Sequence, residues 1–237
     1  GAVQGGERDN TLLAPLPAAE PAQSEPMEFW PRRVSSQHTP EIYVQLSHPV
    51  QEPLATLRCE EKQFDLGPPV FSHRQRLLHS FSLSPIPRGL EASCDLEVLT
   101  TTGERFASRH IMNVRARETP ARVHDVVPDS MAESGEGSLA VTGSRFTDIV
   151  DVVWISANEF RVFERSARVH DGTSGDSVVV PFSPVTSNAP PGEYLVVIEN
   201  KNRSAAIYDG WFVVSPAAEP EIESIEVIAS EGNSQLV

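Results

Sequence analysis

Two cysteines, Cys59 and Cys94, are the residues of this sequence whose chemistry is easiest to place. Cys59 ends the segment "LATLRC" and Cys94 opens "CDLEV", and both segments alternate apolar and other residues with the period of two that β-strands show. Each cysteine therefore shares a face with the apolar residues of its strand. We expect a disulfide between them, which would indicate an oxidising compartment. Two reduced cysteines that pack as small hydrophobic side chains are the alternative.

A nucleophilic cluster is suggested by His170, Asp171 and Ser174 in "RVHDGTSGDS". A Ser-His-Asp triad needs its members to converge in space beside an oxyanion donor, which neighbours within one turn rarely achieve. We interpret "DGTSGD" as a turn in which Gly172 and Gly175 take positive φ. The sequence therefore predicts no catalytic residues and a protein that is not an enzyme.

Metal binding would need clustered oxygen ligands or spaced His and Cys residues. The nearest candidates are Asp148, Asp151 and Glu159, or His170 with Asp176. No calcium-loop motif surrounds them, and the remaining histidines show no ligand spacing. We expect surface carboxylates, with no metal and no other cofactor.

Three tryptophans could stack on sugar rings. Trp154 shares a strand face with two valines and is expected in a core, whereas Trp30 is expected to pack against the first domain. Trp211 precedes Phe212, so one of these two faces outward unless a bulge changes the register. Glycan binding is therefore a secondary hypothesis.

The charge of the chain is unevenly distributed. The formal net charge is −14, and residues 118–237 hold 19 acidic and 7 basic side chains. This acidity argues against nucleic acid or anionic lipid as a partner. No apolar run reaches the length of a membrane helix, and the first residues lack a signal-peptide pattern. These two observations concern only the given residues, and a membrane tether upstream of residue 1 is a further hypothesis.

Short valine-rich segments bounded by Pro, Gly and Asn predict an all-β protein. Sliding the sequence by 99 residues places residues 81–114 on 180–213, with strand, turn and strand in the same order. We expect two tandem immunoglobulin-like, antiparallel Greek-key sandwiches, at 28–117 and 118–216. Cys59 and Cys94 would then lie on the second and penultimate strands and bridge the two sheets. The joint at 115–120 is short and predicts a rod with a restricted angle.

The ends of the chain differ from these domains. Residues 1–27 are rich in Pro and Ala and predict a disordered linker or stalk. Residues 217–237 contain "EPEIESIEV", which matches the strand openings at Thr39 and Thr119. They predict the first strand of a third module, or a tail that pairs elsewhere.

The second half resembles the IPT/TIG family of immunoglobulin-like domains over about 119–216. The resemblance is carried by "RVHDVVPDS", by Gly143 and Phe146 in "LAVTGSRFTDIVDVVW", and by "PPGEYLVVIENKNRSAAIYDGWFVV". This sequence lacks the glycines that the family usually has after the third strand. The preceding domain is only generally immunoglobulin-like.

The resemblance implies spacer, dimerisation or ligand-binding modules with no catalytic residues. We therefore expect a structural or protein-interaction component of a bacterial envelope or surface assembly, in the periplasm or outside the cell. Other proteins of that complex would be its partners. A carbohydrate-binding or adhesin module, or accessory domains of a larger extracellular enzyme, are the alternatives.

Overall fold

The computed structural model describes residues 23–172 and 175–217, which form two β-sandwiches that we call module 1 and module 2. The strands of module 1 are β1 (Glu25–Trp30), β2 (Arg33–Ser35), β3 (Glu41–Leu46), β4 (Leu54–Cys59), β5 (Lys62–Gly67), β6 (Phe71–Ser72), β7 (Leu78–Ser82), β8 (Ala92–Leu99), β9 (Arg105–Ala107) and β10 (Met112–Arg115). Those of module 2 are β11 (Arg122–Val127), β12 (Ser130–Ala132), β13 (Gly137–Ser144), β14 (Ile149–Ser156), β15 (Val162–Gly172), β16 (Gly175–Phe182), β17 (Gly192–Asn200), β18 (Ala205–Ile207) and β19 (Phe212–Ser215). One short helix, α1 (Pro184–Ser187), follows β16. The all-β prediction of two sandwiches is confirmed.

Each module consists of two sheets. In module 1, sheet A contains β2, β10, β8, β4, β5, β9 and the start of β1, and sheet B contains the rest of β1 with β3, β7 and β6. In module 2, sheet C contains β11, β13, β16 and the end of β15. Sheet D contains β12, β19, β18, β17, β14 and the start of β15. A separate hydrophobic core fills each sandwich.

The two modules repeat the same strand order around β8 and β17. Strand β8 lies between β4 and the β9–β10 segment, and β17 lies in the same way between β14 and the β18–β19 segment. The equivalent residues are 100 apart, since Cys94 pairs with Met112 as Tyr194 pairs with Phe212. The separation of 99 residues is therefore wrong by one, and a slip of one residue exchanges the two faces of a strand.

The disulfide between Cys59 and Cys94 forms, but within one sheet. The two cysteines are directly opposite each other on β4 and β8 of sheet A, with Cα atoms 4.1 Å apart. The prediction that the disulfide connects two sheets is therefore wrong. Because β1 is an additional strand before β3, β4 is not the second strand of the sandwich, and it pairs with β8 in the same sheet. Both cysteines still face the core, as the alternation predicts.

The borders of several elements differ from the prediction. Strand β1 begins at Glu25, so residues 25–27 belong to module 1 and not to the linker. In module 2, β15 pairs first with β14 and then with β16, and so joins the two sheets. Residues 1–22 and 218–237 lie outside the described part of the chain. The predictions of an N-terminal linker and of a C-terminal strand or tail otherwise concern these residues. Among the described residues, no helix has the length and apolar character needed to cross a membrane.

The spacing of Gly143 and Phe146 has a steric reason. The Phe146 ring is half-buried against the core of module 2 and lies directly over Gly143 on β13. A Cβ atom on Gly143 would collide with this ring and with the carbonyl oxygen of Arg122 on the neighbouring β11. Glycine therefore allows the aromatic ring to close this corner of the sandwich.

We expect Gly143→Ala to lower the free energy of unfolding by about 1–3 kcal/mol, because overpacking forces the ring and a paired strand to move. Gly137→Ala on the same strand is the control, since its Cβ would meet only the flexible end of Met131, at 3.2 Å. Urea unfolding followed by circular dichroism measures both. Equal stability of the two variants would contradict the steric role of Gly143.

Candidate functional site

The boundary between the modules is an apolar interface between two sheet faces. Trp30, on β1, is 2% exposed and lies in a cluster with Leu78 on β7. Module 2 contributes side chains from the outer faces of β14 and β17 and from β18: Val153, Ile155, Ala157, Leu195, Val197 and Ala205. Sheet B therefore packs face to face on sheet D. This arrangement restricts the angle between the modules, as expected, but differs from the end-to-end rod that the short joint predicts.

A buried glutamine adds polar contacts to this interface. Gln45, on β3, is fully buried. Its Nε2 group donates towards the carbonyl oxygens of Ser156, Glu159 and Arg161 in the β14–β15 loop, at 2.7, 3.0 and 3.1 Å. These main-chain contacts fix the position of the loop of module 2 against sheet B. The two hydrogens of this amide group are shared among the three carbonyl acceptors, which a side chain without a donor could not satisfy.

Ion pairs surround the apolar interface. His73 Nε2 lies 2.7 Å from a carboxylate oxygen of Glu193, which also accepts from Arg74 at 3.1 Å. On another side, Arg33 Nε donates to Glu118 in the joint between the modules, at 2.6 Å. These pairs combine side chains from the loop before β7, from β2, from the joint and from β17. They add orientation more than stability, since partly exposed ion pairs contribute at most about 1 kcal/mol each.

A charged cleft of about 490 Å³ opens beside the interface. Glu199, on β17, is 3% exposed and accepts from Arg203 at 2.6 Å, with Arg32 of module 1 at 3.9 Å. Arg32 also donates to Glu28 on β1, at 3.1 Å. Burial, followed by the charges of Asp151 and Glu199, raises the pKa of Glu164 at this cleft. Because buried charges are costly unless they are paired, this network links the two modules by charge compensation.

Next to the interface, His79 is fully buried on β7. Its Nε2 lies 2.9 Å from the carbonyl oxygen of Arg76 and its Nδ1 lies 2.8 Å from Ser72 Oγ. The first contact requires the proton on Nε2, so Nδ1 accepts from the serine. Burial lowers the pKa of His79 to about 4. The side chain is consequently neutral at physiological pH.

His79 makes the fold sensitive to acid. An unfolded histidine binds a proton below pH about 6.5, whereas folded His79 does so only near pH 4. The contribution of neutral His79 to the free energy of unfolding is therefore fully present above pH 6.5. It falls by about 3 kcal/mol as the pH drops from 6.5 to 4. Urea unfolding at several pH values should show that His79→Gln reduces this loss. His124→Gln, at an exposed residue, should not, and identical pH profiles of wild type and His79→Gln would contradict the assignment.

The suggested nucleophilic cluster lies in the β15–β16 hairpin. His170 is opposite Ser177 in the ladder, and the strands end at Gly172 and begin again at Gly175, whose φ is +118°. The turn interpretation of this segment is therefore confirmed for Gly175. Ser174 lies outside the described residues.

The candidate metal ligands are distributed along module 2. Asp151 accepts from Ser166 Oγ, Asp176 accepts from the backbone N–H of Phe146 at 2.8 Å, and Glu159 pairs with Arg161 at 3.2 Å. Within residues 23–172 and 175–217, no three His, Cys, Asp or Glu side chains are grouped as metal ligands would be. The described carboxylates therefore act in local hydrogen bonds and ion pairs.

The three tryptophans have different environments. Trp154 is fully buried and stacks on Phe182 with ring centroids 4.6 Å apart, so its prediction as a core residue is confirmed. Trp30 packs against module 2 as well as sheet B, which sequence analysis missed. Phe212 faces the core, and Trp211 lies outside it, with its ring centroid 6.2 Å from that of Phe71 in module 1. Trp211 also lies 5.3 Å from the His73 ring, so the aromatic neighbours that the structure gives Trp211 both belong to module 1.

Sequence comparisons add no family to this geometry. No protein-family model matches the chain, and no curated protein matches it either.

Proposed function

We propose that this chain is a non-enzymatic structural or protein-interaction component of a bacterial envelope or surface assembly. The observation that carries the proposal is the buried interface around Trp30, which holds two sandwiches as one unit. A chain that fixes the relative orientation of two sandwiches presents contacts on both of them at a defined spacing. Such a unit is suited to scaffolding.

The compartment is part of the same proposal. A disulfide between Cys59 and Cys94 is typical of proteins in oxidising environments. This favours the periplasm or the cell exterior, and the acidity of the chain favours protein partners over nucleic acid. The resemblance of residues 119–216 to IPT/TIG domains agrees with a spacer or binding module.

Cross-linking in the envelope fraction of producing cells tests the scaffold role. A photo-reactive side chain would replace Leu54 in module 1 or Val179 in module 2, both of which are exposed. A scaffold predicts defined protein adducts from both positions, and loss of at least one set when Trp30→Ala loosens the interface. Absence of protein adducts from both positions in the exported chain would contradict the proposal.

Glycan binding is the second candidate, because one observation favours it. Phe71 is 39% exposed and its ring lies beside that of Trp211 across the module boundary. Aromatic faces of this kind can stack on sugar rings. A glycan array with wild type and Phe71→Ala tests this candidate, which requires binding that the variant loses.

A further inference from the structure

A second cavity lies at the module boundary, away from the charged cleft. Its volume is about 350 Å³, which falls in the range of small-ligand sites. Pro31 and Tyr43 of module 1, Pro120 of the joint and residues 205–209 of module 2 contribute to its lining. Its apolar floor includes the buried Ala121 and Ala206.

Two tyrosines, one from each module, line this cavity. Tyr43 lies on β3, and its hydroxyl donates to Glu41 at 3.3 Å. Tyr208 follows β18, and its ring lies over Gly210, where a Cβ atom would collide with it. Electron-rich aromatic faces attract ammonium and guanidinium groups.

Carboxylates complete the electrostatic character of the cavity. Glu41 from module 1 and Asp209 from module 2 are both in the lining, whereas Arg122 is its one guanidinium. Burial raises the pKa of Tyr43 to about 12, with further contributions from the charges of Glu41 and Asp209. Burial also raises the pKa of Tyr208, with further contributions from the charges of Asp125, Asp129 and Asp209. Acidic side chains therefore act on both phenol groups, and Asp209 acts on both of them.

We propose that this cavity binds an organic cation, an ammonium or guanidinium group on an aliphatic stem. The cation would lie between the tyrosine rings and the Glu41 and Asp209 carboxylates, and its stem would pack on the alanine floor. The ligand class is shared by lysine or arginine side chains of a partner protein and by free amines. This inference does not depend on the scaffold role.

Titration of a protein of residues 1–237, followed by NMR or calorimetry, tests the proposal. N-acetyl-lysine methylamide and n-butylammonium are the cationic probes, and N-acetyl-2-aminoheptanoic acid methylamide, in which a methyl group replaces the ammonium group, is the neutral isostere. We expect the lysine probe to bind with a dissociation constant on the order of 1 mM, and the isostere to bind at least about tenfold more weakly. The Glu41→Gln/Asp209→Asn variant should lose about tenfold in affinity. The Glu91→Gln/Asp95→Asn variant, which removes two exposed carboxylates of module 1, should bind as wild type does.

Two further variants distinguish the ring from its hydroxyl. Tyr208→Phe should bind the lysine probe as wild type does, and Tyr208→Leu should weaken binding, because the contact is to the π-face. Preference for the lysine probe over n-butylammonium would indicate a protein side chain as the source, and the reverse a free amine. Absence of binding at 20-fold the expected dissociation constant, equal binding of the neutral isostere, or unchanged affinity of the Glu41/Asp209 variant would each overturn the proposal.

Discussion

Trp30→Ala is expected to lower the free energy of unfolding by about 3–5 kcal/mol, the cost of truncating a large buried aromatic side chain. Trp30 is 2% exposed and packs on side chains of both modules, including Leu78 and Leu195. The loss should therefore come from the contact between the modules. We expect wild type to unfold in one urea transition and the variant to unfold in two, as the modules separate.

Phe160→Ala is the matched control for this experiment. Phe160 is an aromatic residue of the β14–β15 loop near the same boundary, but it is 38% exposed. Its truncation should cost less than about 1 kcal/mol, as surface substitutions usually do. If Trp30→Ala also costs less than about 1 kcal/mol and keeps a single transition, the interface does not hold the modules together.

Removal of the Cys59–Cys94 disulfide is expected to have the second-largest effect. The cysteines are 35 residues apart in sequence, and closing a loop of this length stabilises by roughly 3–4 kcal/mol in the chain-entropy model. Reduced wild type and the Cys59→Ala/Cys94→Ala variant should both lose about this amount. Comparing the two separates the cross-link from the packing of the sulfur atoms.

Module 2 provides an internal control for this experiment. Ser156 and Tyr194 are paired in β14 and β17 as Cys59 and Cys94 are paired in β4 and β8. Module 2 therefore forms the same strand pair without a covalent bond. Hydrogen exchange should show faster opening of module 1 after reduction, with little change in the core of module 2. If the oxidised and the reduced chain had the same free energy of unfolding, the disulfide would not stabilise module 1.

The sequence predicts the strands and the repeat because short apolar runs between turn residues are local signals. The disulfide partners could be predicted from alternation, since a period of two assigns each cysteine to a face. The sheets that they connect could not be predicted, because β1 is only six residues long, contains Pro26 and is followed directly by Pro31. Without β1, the order of the following strands is displaced by one.

The sequence contains a pattern that indicates the interface between the modules, and it was not used to predict that interface. "DVVWIS" and "YLVVIEN" contain the uninterrupted apolar runs "VVWI" and "YLVVI", and such runs are typical of strands that are buried on both faces. In the structure, alternate residues of β14 and β17 face the core of module 2 and the side chains of module 1. The identity of the covering residues, Trp30 and Leu78, could not be predicted, because they are distant in sequence and their meeting depends on the complete fold.

The packing of sheet B on sheet D gives the two sandwiches one fixed relative orientation. Residual dipolar couplings of backbone amides, measured in both modules of the oxidised chain, test this orientation. We expect one alignment tensor to fit the couplings of residues 25–115 and 122–215 together. Two tensors of clearly different magnitude or orientation would show that the modules move independently and would contradict it.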